Sequence, residues 1–241
     1  MKNFRKRILL ITALMILTIM IVGTVFAADP SGSGTLAIDG SERANTPSVG
    51  QLPAQGGNVT EVDITAEVIT SKWAGYYGNI TGLIVLEDSS GNTFYNWSDA
   101  SPTGEVFATR NPSTPTWGSI GCADAADIGT EATALGLSTG ADNLTNTFCA
   151  TCGNHSAFQV SSQPFTADLC TYRSNVYDNS GDQIINWDQI ILDDGNYPLY
   201  TTIINQDTTG FDGRSWDFQL LVAENSSIST MTNYFFYIEI A

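Results

Sequence analysis

The sequence predicts a mainly β protein: an antiparallel β-sandwich with a small helical or loop insertion around residues 123–156 and an N-terminal signal or anchor helix. Three observations predict it. Short β-prone runs recur along the chain, several with strict alternation of apolar and polar residues. Turn signals divide them, at Ser89-Ser90-Gly91-Asn92, Asp193-Asp194-Gly195-Asn196 and Asp212-Gly213. Asp124 to Leu137 alone reads as a helix, with Ile128, Ala132 and Leu135 on one face and Gly129 weakening it.

The chain begins with Lys2, Arg5, Lys6 and Arg7 ahead of a largely apolar run from Ile8 to Ala27, the layout of a secretory signal. Val25-Phe26-Ala27 favours cleavage after Ala27 or one residue later. The run is also long enough to span a bilayer, so residues 1–27 are a signal peptide or a membrane anchor. A retained anchor would hold the basic flank inside and the body outside. Residues 28–55 are Gly/Ser/Pro-rich and form a flexible linker or an assembly strand near Thr35-Leu36-Ala37-Ile38. The β-sandwich domain is expected over 56–241.

Within that domain Val62, Ile64, Ala66 and Val68 alternate with Asp63, Thr65, Glu67 and Ile69, as in a half-buried strand. An aromatic turn is expected from Trp73 to Gly82. Leu83-Ile84-Val85-Leu86 follows as a strand apolar on both faces, and Thr93 to Trp97 is its hairpin return. Glu105 to Thr109 is the next strand. Thr139 to Phe148 reads as polar loop. Short strands are expected at Ala157–Val160 and Leu169–Tyr172, with strand pieces at Gln183–Trp187 and Gln189–Leu192. Leu199–Ile204, Trp216–Ala223 and the aromatic-rich Asn233–Ile240 complete the set.

Charge becomes informative once divided. Four of the nine basic residues lie in the first seven positions, so the body sets five cations against all 25 acids. Such a field repels nucleic acid and anionic head groups. The membrane is reached only through residues 8–27, if uncleaved. The four cysteines, Cys122, Cys149, Cys152 and Cys170, favour disulfides in an exported chain, with three pairings open. Cys149 and Cys152 could close a local loop, leaving Cys122–Cys170 to staple the middle of the chain. Six Asn-x-Ser/Thr triplets, at Asn58, Asn79, Asn96, Asn143, Asn154 and Asn225, are candidate glycan acceptors.

Reactive chemistry finds little support. His155 is the one histidine, and no Gly-x-Ser-x-Gly elbow accompanies it. Asp178-Asn179-Ser180-Gly181-Asp182 offers oxygens at alternating positions, so Asp178 and Asp182 are weak candidates for calcium, the one cofactor the pattern admits. The stretch lacks the sixth-position glycine and distal glutamate of a full calcium loop, and an ordinary solvated turn is the favoured reading. Trp73, Tyr76 and Tyr77 could stack against sugar rings, though an aromatic core plug is the favoured reading.

The Trp73–Gly82 motif, Thr93-Phe94-Tyr95-Asn96-Trp97, Gly104-Glu105-Val106-Phe107-Ala108-Thr109, Gly210-Phe211-Asp212-Gly213, Asp217–Val222 and Tyr234-Phe235-Phe236-Tyr237 together resemble a group of uncharacterised archaeal secreted β-rich surface proteins. No activity is established for that group, so the resemblance implies export and surface location and carries over no catalytic residue. The expectation is an extracellular, N-glycosylated, non-enzymatic structural protein of an envelope or filament. Its partners would be itself or other cell-surface proteins and glycans, joined by strand addition. A secreted carbohydrate-binding module using surface aromatics is the alternative.

Overall fold

A computed structural model describes residues 29–34, 36–45, 51, 53, 55–64, 68–99, 102–177, 183–225 and 231–240. The signal or anchor segment, Thr35, Ala66, Asp178 and Asp182 lie outside the described residues. The first part of the chain forms β1 (Ser31–Gly32), β2 (Trp73–Gly78), β3 (Gly82–Glu87), β4 (Thr93–Asp99) and β5 (Gly104–Thr109). The insertion holds a 3-10 turn (Trp117–Ser119), β6 (Gly121–Cys122), α1 (Ala125–Ala134), α2 (Leu144–Thr147), β7 (Phe158–Val160) and β8 (Gln163–Phe165). Then come β9 (Arg173–Tyr177), β10 (Gln183–Asp193), β11 (Pro198–Ile203), β12 (Thr208–Thr209), β13 (Ser215–Trp216), β14 (Phe218–Ala223) and β15 (Phe235–Ile240).

Seven strands make one antiparallel sheet in the order β1-β15-β5-β11-β10-β6, with β9 also paired to β10. Its middle is covered on both faces. Alternation along β5 sends Val106 and Ala108 one way and Phe107 the other, and all six of its residues are buried. On the first face, Val106, Ala108, Ile191 and Tyr200 share a core with Ile128 and Ala132 of α1, Leu144 and Phe148 at α2, and Leu220 and Val222 of β14. On the second, Phe107, Ile190, Leu192 and Leu199 pack with Trp117, Ile120, Val160, Phe165 and Cys170.

β14 pairs with β2 to form a two-stranded layer over the first face. Gln189, fully buried in β10, ties this layer down: its side-chain amide donates to the Gln219 carbonyl and its oxygen accepts the Leu221 N–H at 2.9 Å. A buried polar side chain is thereby satisfied by the edge of the neighbouring layer. Asp124 caps α1 by accepting the N–H groups of Ala126 and Asp127, while Asp127 accepts the Asp124 N–H in return.

The class and most late strands match expectation, and several local readings are corrected. Trp73–Gly78 is a strand rather than a turn. No strand forms at 58–64 or 68–70, which pair with no strand among the described residues, and a strand owes its stability to pairing. The N-terminal pairing falls at Ser31–Gly32 rather than at 36–38, where no strand forms. The polar loop before Phe148 contains α2, because Asn143 caps it by accepting the Asn146 N–H and because Leu144 and Phe148, four apart, are both buried. Leu169–Tyr172 is not a strand; β8 and β9 flank it instead. The two pieces at 183–192 join into one long strand with an irregular register between Gln183 and Asp188.

Candidate interaction surface

Among the described residues the hairpin β3–β4 pairs with no other strand. Both its feet are tied to the body: the Ile80 N–H donates to Asp217 at 2.7 Å, and the Pro102 carbonyl accepts from the Gln206 amide at 2.8 Å. Between them the strands stand in solvent. Leu83, Ile84, Val85, Leu86, Phe94, Tyr95 and Trp97 are all exposed, so the strand forms as expected and both its apolar faces lie open. Register places Ile84 opposite Trp97 and Leu86 opposite Tyr95, which gathers four apolar side chains on one face, each 51–54% exposed. The Tyr95 and Trp97 rings touch, with centroids 4.6 Å apart. The other face opposes Leu83 to Ser98 and Val85 to Asn96. The Asp88 carboxylate closes the tip by accepting the Asn92 side-chain amide at 2.7 Å and the N–H groups of Asn92 and Ser90, and these bonds, the first above all, lower its pKa.

The candidate sugar platform does not form as one face. The Trp73 indole N–H donates to the Asp142 carbonyl at 2.9 Å, its ring lies 5.8 Å from Phe148, and it belongs to the core. Tyr76 and Tyr77 point to opposite sides of β2. Tyr76 meets Phe236 edge-on at 5.0 Å. Tyr77, 39% exposed, joins Phe211 at 4.8 Å and Trp216 at 5.0 Å. Arg214 covers the Trp216 ring at 4.9 Å, and Asp212 accepts the Trp216 indole N–H. Phe211, Arg214 and Trp216 thus form an aromatic patch with Tyr77 that sequence reasoning missed, because they lie more than 130 residues further along the chain.

The cysteines form two disulfides, Cys122–Cys170 and Cys149–Cys152. Arg173 organises this region: its guanidinium donates to the carbonyls of Ala150, Gly153, Asp168 and Cys170. His155 is buried within it. Its Nε2 accepts the Cys170 N–H at 3.0 Å, so Nδ1 carries the proton and donates to the Ser156 carbonyl at 2.8 Å. An open groove of about 620 Å³ beside Cys152, flanked by Asn146, Ser174, Asn175 and Tyr177, contains no carboxylate or histidine in its lining.

Two buried acid clusters lie elsewhere. Glu131 of α1 pairs with Arg110 through Nε at 3.0 Å and through a second guanidinium nitrogen, and accepts the Tyr200 hydroxyl at 3.2 Å. Burial pushes the Tyr200 phenol well above its usual range. Glu105 and Glu239 sit opposite each other across β5 and β15, both buried. Desolvation, and then the Glu239 charge, push Glu105 up to about 8. Glu239 is also raised by burial, against the Ser161 N–H that it accepts at 2.9 Å.

Among the sequons, Asn58, Asn79, Asn96 and Asn154 are exposed, while Asn143 and Asn225 are half-buried. Among the described residues no group of three or more His, Cys, Asp or Glu is placed to hold a metal ion, and no helix is long and apolar enough to cross a membrane. No family model, curated protein or solved structure matches the chain.

Proposed function

We propose that this is an extracellular, N-glycosylated, non-enzymatic surface protein that associates with copies of itself by strand addition, as a component of an envelope or filament. The observation that carries the reading is the β3–β4 hairpin, which holds seven large apolar side chains in solvent. Exposed apolar patches of this size mark interaction sites. The export layout of residues 1–27, the two disulfides and the exposed sequons favour an oxidising exterior. The group it resembles is archaeal and secreted. We read the β2–β14 pair, with α1 and α2 beside it, as the second layer of an antiparallel sandwich.

The mature secreted protein tests this directly. Sedimentation and electron microscopy at rising protein and Ca²⁺ concentration should reveal oligomers. A strictly monomeric particle throughout rejects the reading. The carbohydrate-binding alternative now rests on Tyr77, Phe211 and Trp216 in place of Trp73; a glycan array probed with the wild-type protein and a Tyr77→Ala variant tests it.

A further inference from the structure

We propose that residues 58–64 of one copy add as a third strand to the β3–β4 hairpin of the next, joining chains head to tail. This rests on the self-association reading above and names the two surfaces that would meet.

The hairpin is incomplete as a β-structure. Two strands alone are marginal in water, and a third strand or a packed face is what makes such a unit stable. Among the described residues neither strand has a second neighbour, and the face of Ile84, Leu86, Tyr95 and Trp97 is half-exposed. The four side chains of that face, each about half exposed, present on the order of 400 Å², about half of what each partner buries in a standard interface, and backbone pairing along the added strand would supply the remainder. The runs 83–86 and 94–98 carry no charge, so a sheet edge here lacks the lysines and other charges that usually discourage pairing.

The same chain holds a strand pattern with no partner. Asn58, Thr60, Val62 and Ile64 alternate with Val59, Glu61 and Asp63. Val62 is 46% and Ile64 84% exposed, and no ladder forms. In an extended conformation, Val62 and Ile64 fall on one face and Glu61 and Asp63 on the other. The hairpin has one wholly apolar face of four side chains and one mixed face, where Leu83, Val85 and Phe94 lie with Asn96 and Ser98. Adding the segment at the hairpin edge lets Val62 and Ile64 extend the apolar face, while Glu61 and Asp63, with Val59, fall on the mixed face and stay in water. Within one copy the two elements do not pair.

Donor and acceptor are different surfaces, so the contact is heterologous and repeats from copy to copy. The body's excess of acids opposes it, and salt, by screening that repulsion, should favour it.

The test uses the mature protein and two double variants at exposed positions: V62K/I64K, which spoils the donor, and I84K/W97K, which spoils the acceptor. Sedimentation at rising concentration should give open-ended oligomers for the wild type and at least tenfold weaker association for each variant alone. Mixing the two variants should restore one intact interface and yield 1:1 dimers that grow no further. If the donor variant still assembles like the wild type, the hairpins dock on each other or elsewhere and the inference falls, although self-association stands. Two non-assembling variants whose mixture stays monomeric overturn it equally. A wild type that never associates removes both this inference and the function it rests on.

Discussion

Glu105 offers a quantitative handle on the sheet. Its carboxyl is buried in β5 opposite Glu239 of β15 and is raised from the ordinary 4.5 to about 8. In the folded protein it keeps its proton through neutral pH, whereas in the unfolded chain it has lost it. Stability from this group is therefore full below about 4.5 and declines as pH rises through 8. Each tenfold change in proton affinity is worth about 1.4 kcal/mol, so the loss is roughly 3 kcal/mol by pH 7 and roughly 5 kcal/mol well above pH 8. Glu105→Gln keeps the shape of the neutral acid and cannot ionise. Urea melts followed by tryptophan fluorescence should place variant and wild type within about 1 kcal/mol at pH 4.5. At pH 8.5 the variant should be more stable by several kcal/mol. Comparing the two proteins cancels the titration of the many other acids. A stability difference that stays flat from pH 4.5 to 8.5 refutes the argument, and with it the claim that this carboxyl is held neutral by burial.

Three further outcomes are expected. Replacing Cys122 and Cys170 by alanine opens a loop with a sequence separation of 48 and should cost about 4 kcal/mol, whereas removing Cys149–Cys152, with a separation of 3, should cost less than half that; guanidinium melts measure both. Gly104 has φ +133°, and an added Cβ would lie 2.0 Å from the Glu239 carbonyl oxygen, so Gly104→Ala should lose at least about 2 kcal/mol and lower Tm. Glu131→Ala strands the partly buried Arg110 and removes the acceptor of the Tyr200 hydroxyl; a loss of about 3 kcal/mol in the same melts is expected.

The strands of the main sheet were legible because their residues answer to partners in the same chain. β5, β11 and β15 carry β-branched and aromatic residues in short runs, and the structure places them in the main sheet. Helix α1 was legible from Asp124 and the spacing of Ile128, Ala132 and Leu135. The exposed apolar hairpin was not. Leu83-Ile84-Val85-Leu86 has the composition of a strand buried on both faces, and composition is the same whether the covering partner lies in this chain or in another molecule. The segment near Val62 misled in the converse way: its alternation is a true strand pattern, but no strand among the described residues takes up 58–64. α2 was hidden by the polar residues around Leu144 and Phe148, although the Asn143 cap was present to be read. The burial of His155 depends on the Cys170 N–H it accepts, a contact that no local pattern around residue 155 encodes.

The placement of β15 has a bearing on how the molecule comes into being. β5 is made early, yet one of its two neighbours is the segment 235–240, more than a hundred residues later. Until residue 240 has left the ribosome, β5 has an open flank and its buried glutamate lacks its cover. Loop closure over that distance is slow, so the sheet matures only after synthesis of this whole region. On the proposed export route this order of assembly would keep the chain unfolded while it passes a translocation channel.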